Sequence, residues 1–287
     1  MPTNILTVDL EDWFVVENLR NQVSYAEWDE LPLRIEENTR RLLRLFQRYR
    51  VRATFFVLGW IAEKKPELIA EIAYAGHEIA CHSFAHARVD SLDEGTFKRD
   101  TERAIDSVVK ATGMVPMGYR APSWSINSRL PWAFEVLAGL GFKYDSSIYP
   151  VKHDIYGEPS APRNFFKMQL DSGRILYELP ASTVRFWGRN IPVGGGGYLR
   201  LAPYWFTSSM IRRINGQGWP AIVYIHPWEL DENQPRMKGL SAFQKYRQYG
   251  SIPLLKMKLG KLLSEFDFMA AGDYVDLKTK KKIGFES

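Results

Sequence analysis

The chain has 287 residues, 45% of them hydrophobic and 14% aromatic, with a formal net charge of +5 and a single cysteine. That is enough apolar material for one barrel-sized domain with a large core, and a lone Cys81 excludes an internal disulfide framework. No apolar run approaches the roughly 20 residues needed to span a bilayer, and Met1-Pro2-Thr3-Asn4 passes into a strand without a basic-then-apolar leader, so the expectation is a cytoplasmic chain.

In chain order the pattern is an apolar strand followed by a helix, repeatedly. Ile5 to Val8 reads as a strand ending at Asp9, and 34–50 as a helix with Leu42, Leu45, Phe46 and Tyr49 on one face. Residues 52–58 form a nearly continuous apolar run, as expected of a strand covered on both sides, and Gly59 stops it. Pro66 opens the next helix and Gly76 ends it, before a strand leading to Cys81 and His82. Ser91 and Glu94 have capping-box spacing for a helix that runs to Gly113. Further strands are expected before Arg120, at 142–145, at 174–179 and at 221–226. Helices are expected at 130–140 and 202–215, and a helix–strand pair at 254–271 closes the series.

Two segments break the repeat. Residues 150–173, with Pro150, Pro159 and Pro162, read as an irregular excursion over the catalytic face. Residues 185–198 hold Phe186-Trp187-Gly188 and then Gly194-Gly195-Gly196-Gly197-Tyr198; no Lys-Ser/Thr pair follows the glycines, so the stretch reads as a flexible loop carrying aromatic side chains rather than a phosphate cradle. Residues 229–250, polar and aromatic, read as a lid or flanking helix beside the site.

Seven or eight strands alternating with helices predict a parallel sheet, and in one domain of this size a distorted (β/α) barrel of about seven strands closes it. We take 1–287 as that single domain, with 229–287 a C-terminal extension packed on the barrel. A doubly wound open sheet is the alternative, but no GxGxxG turn follows the first strand. Asp9, His82, Arg120, Asp145 and His226 each follow a strand, which places the chemistry at the C-terminal strand ends.

His82 and His86 have metal-ligand spacing: if a helix follows the strand, both imidazoles share a face. Such a pair needs an oxygen ligand, and Asp9, Glu11 and Asp12 offer three carboxylates at the first strand's end. Two imidazoles and a carboxylate suit a divalent metal, zinc first, with Co2+, Ni2+ or Mn2+ as alternatives. Cys81 alternates to the opposite face and reads as a buried thiol, while His77 and His153 read as satisfied-core or surface histidines.

Taken together, these stretches resemble the five motifs of the polysaccharide deacetylases, the NodB-homology carbohydrate esterases. Asp9-Leu10-Glu11-Asp12 resembles the aspartate-rich first motif, His82-Ser83-Phe84-Ala85-His86 the second, and Arg120-Ala121-Pro122-Ser123-Trp124 the third. Tyr144-Asp145-Ser146-Ser147 resembles the fourth and Ile225-His226 the fifth. The Asp9 to Phe14 stretch and the His226 to Leu230 extension are most similar to the subgroup of exopolysaccharide and exosortase loci.

The resemblance implies a metal-dependent de-N-acetylase acting on an N-acetylated carbohydrate. In the family's roles Asp9 is the general base and Arg120 holds it ionised and oriented. His226 is the general acid, with Asp145 as the partner that favours its protonated form. Trp124, Tyr149, Tyr198 and Trp228 become the substrate-facing aromatics. The first motif departs from the usual adjacent aspartates: strand parity favours Glu11, whereas the family's short ligand favours Asp12, and we take Asp12 with Glu11 as the alternative.

A non-sugar C–N hydrolase of allantoinase or imidase type and an inactive glycan-binding subunit are the competing readings. No nucleic-acid partner is indicated. The basic run Lys278-Thr279-Lys280-Lys281-Lys282 permits contact with an anionic membrane face.

Overall fold

A computed structural model describes residues 2–153 and 156–280. The elements are, in order, β1 (Asn4–Leu10), α1 (Ile35–Tyr49), β2 (Thr54–Val57), α2 (Gly59–Lys64), α3 (Pro66–Tyr74), β3 (Glu78–Cys81), α4 (Glu94–Thr112), β4 (Gly118–Tyr119), α5 (Pro131–Gly139) and β5 (Tyr144–Asp145). Then follow β6 (Phe166–Gln169), β7 (Ile175–Glu178), β8 (Thr183–Phe186), β9 (Arg189–Pro192), α6 (Gly196–Leu201), α7 (Tyr204–Asn215), β10 (Ile222–Ile225), α8 (Ala242–Tyr249), α9 (Ile252–Glu265), β11 (Phe268–Met269) and α10 (Ala271–Lys280).

The main sheet has the order β10-β1-β2-β3-β4-β5-β7-β6, with β11 also paired to β1. All of these pairings are parallel except β6 with β7. The central strands β1 and β2 are buried at every position, polar Asn4, Thr7, Asp9 and Thr54 included, as expected when helices cover one face and the barrel interior the other.

The sheet curls but does not zip shut between β10 and β6. The segment after β7 spans the opening: Ala181 N–H donates to Ile148 O (2.9 Å), Ile222 N–H to Ser182 Oγ (2.7 Å) and Tyr224 N–H to Gly194 O (3.0 Å). The result is the distorted, partly open (β/α) barrel expected from the strand–helix alternation.

Local differences from the sequence reading have identifiable causes. Asp93, not Ser91, caps α4: its Oδ1 accepts the Thr96 N–H at 2.7 Å, while Ser91 closes a 3-10 turn just before it. The excursion at 150–173 contains β6, held antiparallel to β7. The 185–198 stretch is not a flexible loop. β8 and β9 form a tight hairpin turning at Trp187-Gly188, both with positive φ, and Gly195 bridges to Tyr224. A Cβ on Gly195 would lie 1.6 Å from the Tyr224 ring, so the backbone approaches an aromatic face that only glycine permits.

The C-terminal stretch contributes β11 to the sheet itself, while α9 packs beside α1 and α6. Among the described residues no helix is long and apolar enough to cross a membrane. The basic run starts in the last turn of α10, and Lys281 and Lys282 lie outside the described residues.

Candidate active site

Asp9 closes β1 with its neighbour Leu10, and the chain then bends: Glu11 N–H donates back to Asp9 O (2.9 Å). Glu11 thereby points into the barrel mouth, where Oε1 lies 3.1 Å from His82 Nε2 and 3.0 Å from His86 Nε2. His82 Nδ1 donates to the Arg120 carbonyl at 2.7 Å, which fixes the ring and turns Nε2 toward Glu11.

The two histidines meet without a helix. Ser83 and His86 have φ of 62° and 55°, and Ser83 Oγ accepts the His86 N–H at 3.1 Å, so a tight turn brings the rings to 5.4 Å. That turn is pinned from outside: the first amides of α2, Gly59 and Trp60, donate to the carbonyls of Ser83 and Phe84, and Phe84 N–H donates to Asp100 Oδ2.

Glu11, His82 and His86 are the one group of three or more His, Cys, Asp or Glu among the described residues whose ligand atoms cluster tightly enough to hold a metal. All three donor atoms converge, one carboxylate and two imidazoles with a fixed tautomer on His82, so the residues present fit a divalent ion. Burial would raise the Glu11 carboxyl, but His86, His226 and His82 hold it well below the usual carboxylate range.

Asp12 is elsewhere, contrary to the choice made from sequence. Its Oδ1 accepts the Trp13 N–H (2.8 Å), and its Oδ2 accepts those of Arg34 (2.8 Å) and Ile35 (3.0 Å). It therefore caps the start of α1, where unpaired helical amides attract a carboxylate. Burial pushes its pKa up to about 6 despite those donors.

Arg120 is buried and fully engaged. Nη1 donates to Asp9 Oδ1 (2.6 Å) and Thr7 Oγ1 (2.9 Å), Nη2 to Ser146 Oγ (3.0 Å), and Nε to the Ser146 carbonyl (3.2 Å). With Oδ1 so occupied, Asp9 Oδ2 faces the cavity, 3.8 Å from His226 Nε2.

The other nitrogen of His226 corrects a second expectation. Nδ1 lies 3.0 Å from Glu229 Oε2, not beside Asp145. Asp145 instead accepts from Ser147 Oγ (2.5 Å) and sits in register with Glu178 on β7, so two buried carboxyls face each other and both are pushed up. The fourth motif thus serves Arg120: Ser146 receives its guanidinium, and Ser147 Oγ accepts the Ala121 N–H at 2.8 Å. Burial disfavours charge on His226, but Glu11, Glu229 and Asp9 together raise its pKa to about 9.

A cavity of about 430 Å³ opens on these groups, with Asp9, Glu11, His82, His86 and His226 in its floor. Trp124, Tyr198 and Trp228 line it as expected, and Ser123 and Trp124 both take left-handed backbone conformations, which re-aim the chain at the site. Tyr149 does not line it. Its ring packs behind Trp124 at 5.0 Å and under Tyr156 at 5.7 Å.

Phe243 and Tyr246 of α8 line the cavity, in keeping with the 229–250 stretch expected beside the site, whereas sequence reasoning missed Tyr156 and took His153 for a core or surface histidine: the two rings stack 4.0 Å apart on the cavity wall. That reasoning also missed Glu229, although a glutamate three residues after His226, with Pro227 between, is a capping-box spacing. His77 is a satisfied core residue whose Nδ1 accepts the Ala53 N–H at 3.2 Å.

Residues 17–144 match the family model described as polysaccharide deacetylase, and residues 146–276 match one described as a domain of unknown function, DUF3473. A curated peptidoglycan deacetylase of Helicobacter pylori is 33% identical over 111 residues, which are 38% of this chain and 36% of that protein. The chain thus aligns with only about a third of that relative's length.

Among solved structures, a Mycobacterium smegmatis protein assigned to the polysaccharide deacetylases superposes with a TM-score of 0.62 at 22% identity, covering 98% of this chain and 92% of that one. An allantoinase gives 0.60 at 15% identity, covering 94% and 88%. These likenesses are of fold alone. The chain carries a polysaccharide deacetylase domain of the NodB-homology, carbohydrate esterase type, followed at once by a domain of unknown function whose strands complete the same sheet.

Proposed function

We propose that the protein is a metal-dependent de-N-acetylase that hydrolyses the acetamide of an N-acetylated amino sugar and releases acetate. The observation that carries this reading is the convergence of three kinds of group on one cavity: the Glu11–His82–His86 set, the Arg120-bound Asp9 carboxylate, and His226 with its second nitrogen held by Glu229. A divalent ion held by Glu11, His82 and His86 supplies Lewis acidity toward the amide carbonyl and a water of lowered pKa.

The chain's own residues do the rest. Asp9 takes the proton of the attacking water on Oδ2, the oxygen Arg120 leaves free. His226 Nε2 gives a proton to the amine as the C–N bond breaks, since an amine cannot leave as an anion. Trp124, Tyr198 and Trp228, with the α8 aromatics, give the sugar rings apolar faces to stack on. The name of the Helicobacter pylori relative supports a glycan amide as substrate.

The Asp9 to Phe14 and His226 to Leu230 stretches support placing the chain with the deacetylases of exopolysaccharide loci. In this reading the enzyme works in the cytoplasm, and its basic Lys278–Lys282 run meets the membrane face. The test is acetate release from a panel of free and lipid-linked N-acetylated oligosaccharides, with allantoin and cyclic imides alongside. Metal-dependent acetate release from a glycan is the expected result; turnover of the imides alone, or of nothing by metal-loaded protein, would overturn the proposal.

A further inference from the structure

The acid's carboxylate partner belongs to a buried chain of contacts that lies wholly within residues 146–276, the stretch to which no function is attached. Glu229 is fully buried. Its Oε2 accepts the His226 backbone N–H at 3.1 Å and faces His226 Nδ1 at 3.0 Å, while Oε1 accepts from Arg200 Nε at 3.1 Å.

Arg200, on α6 and 1% exposed, sends its two terminal nitrogens to the backbone carbonyls of Arg247 and Gly250, at the C-terminal end of α8. Lys258 of α9 fixes the α6 end, donating to the carbonyls of Arg200 (2.6 Å) and Ala202 (2.7 Å). The same α8 carries Phe243 and Tyr246 on the cavity wall.

A buried carboxylate–guanidinium pair is a weak source of stability, because desolvating two charges offsets most of their attraction. Its geometry therefore asks for another explanation, and the contacts give one. With Nδ1–H donated to Glu229, the imidazole is fixed in orientation and presents Nε2 to the cavity. Among the described residues, the other charged groups acting on the ring are Asp9, at 3.8 Å, and Glu11, both at the end of β1.

We infer that Glu229 is the positioning residue of the His226 imidazole, and that Arg200 ties this position to α8, so that the domain of unknown function sets acid orientation and substrate wall as one unit. The inference rests on His226 acting as the acid. Its test is built to fail separately from that reading.

The protein is labelled with 15N-histidine, and the His226 ring nitrogens are assigned by their loss in His226→Gln. Ring shifts, metal content, kcat and KM are then compared in wild type, Glu229→Gln, Glu229→Asp and Arg200→Lys. Glu229→Gln should move the Nδ1 resonance away from its hydrogen-bonded position and lower kcat roughly 10- to 100-fold with KM within about twofold, less than the loss from deleting the acid itself. Glu229→Asp should restore part of both signals, whereas Arg200→Lys should change KM as well as kcat, because it loosens the end of α8.

A folded Glu229→Gln protein with unchanged ring shifts and unchanged kcat overturns the inference. Should Glu229→Gln not fold, Glu229→Asp and Arg200→Lys carry the same decision, and unaltered shifts in both overturn it. A wild type that releases no acetate, yet shows the ring responding to Glu229→Gln, refutes the deacetylase reading and leaves the positioning role standing.

Discussion

Glu11 and Asp12 are neighbours in the chain and turn their carboxylates to opposite tasks: Glu11 lies 3.0–3.1 Å from two imidazoles, and Asp12 accepts three backbone amides at the head of α1. Substituting them should separate metal binding from stability. Glu11→Gln should lower metal occupancy, measured by elemental analysis, with little change in melting temperature of the metal-free protein. Asp12→Ala should destabilise by on the order of 2–4 kcal/mol, since it strips a cap from partly buried amides, yet bind metal at full stoichiometry while folded. Metal lost only from the Asp12 variant would reverse the assignment.

The Asp9 carboxylate is held on one oxygen by Arg120 and open on the other. Asp9→Asn should therefore keep its metal and its substrate affinity and lose kcat by roughly 10²–10⁴-fold, the range for a positioned base. An Asp9→Asn enzyme that loses its metal would make Asp9 a ligand rather than a base.

Turnover that needs protonated His226 should fall on the alkaline side, and the contacts say which residue controls that limb. Burial works against the imidazolium, while Glu11, Glu229 and Asp9 raise its pKa to about 9, and a bound ion neutralises the share that comes from Glu11. Glu229→Gln should shift the alkaline limb of the kcat profile to lower pH. Asp145→Asn should not shift it, because Asp145 contacts Ser147 and Glu178 instead. A limb that follows Asp145 and ignores Glu229 would restore the pairing expected from sequence.

Asp145 and Glu178 face each other across β5 and β7 with both carboxyls raised, most strongly Glu178, where burial and then the Asp145 charge oppose ionisation. The folded state therefore binds more protons than the unfolded one above the ordinary carboxylate range. Stability from this pair is fully present below the unfolded pKa and is lost as pH rises through the folded one. Glu178→Gln removes the carboxyl that must stay protonated, so urea denaturation at several pH values should show a flatter decline toward alkaline pH. A wild-type slope in the variant would mean that the pair does not share a proton.

Much of this was legible in the chain. The apolar run before Gly59 and the strand 222–225 could be read because strands buried on both faces show no alternation to confuse, and the residues at their ends fell where a parallel barrel puts chemistry. What stayed hidden depended on partners far along the sequence. Strand parity favoured Glu11, but only the amides of Arg34 and Ile35 explain why Asp12 turns away. Asp145 follows a strand as a catalytic residue would, and only the register with Glu178 reveals that its carboxyl faces another carboxyl. The β8–β9 hairpin was obscured because its turn is Trp187-Gly188, a bulky residue at a positive φ where Asn or Gly would signal a reversal.

Because β1 is flanked by β2 from close by in the chain but by β10 and β11 only from more than 200 residues later, it is synthesised long before the partners on its other edge. At typical synthesis speeds that interval is on the order of tens of seconds. Throughout it, one edge of a strand that ends up fully buried has no partner, an open invitation to pair with another polypeptide. Production of this protein should accordingly depend on chaperone capacity and translation rate more than its finished stability suggests, and a chain released before residue 269 would lack the strand that completes its seam.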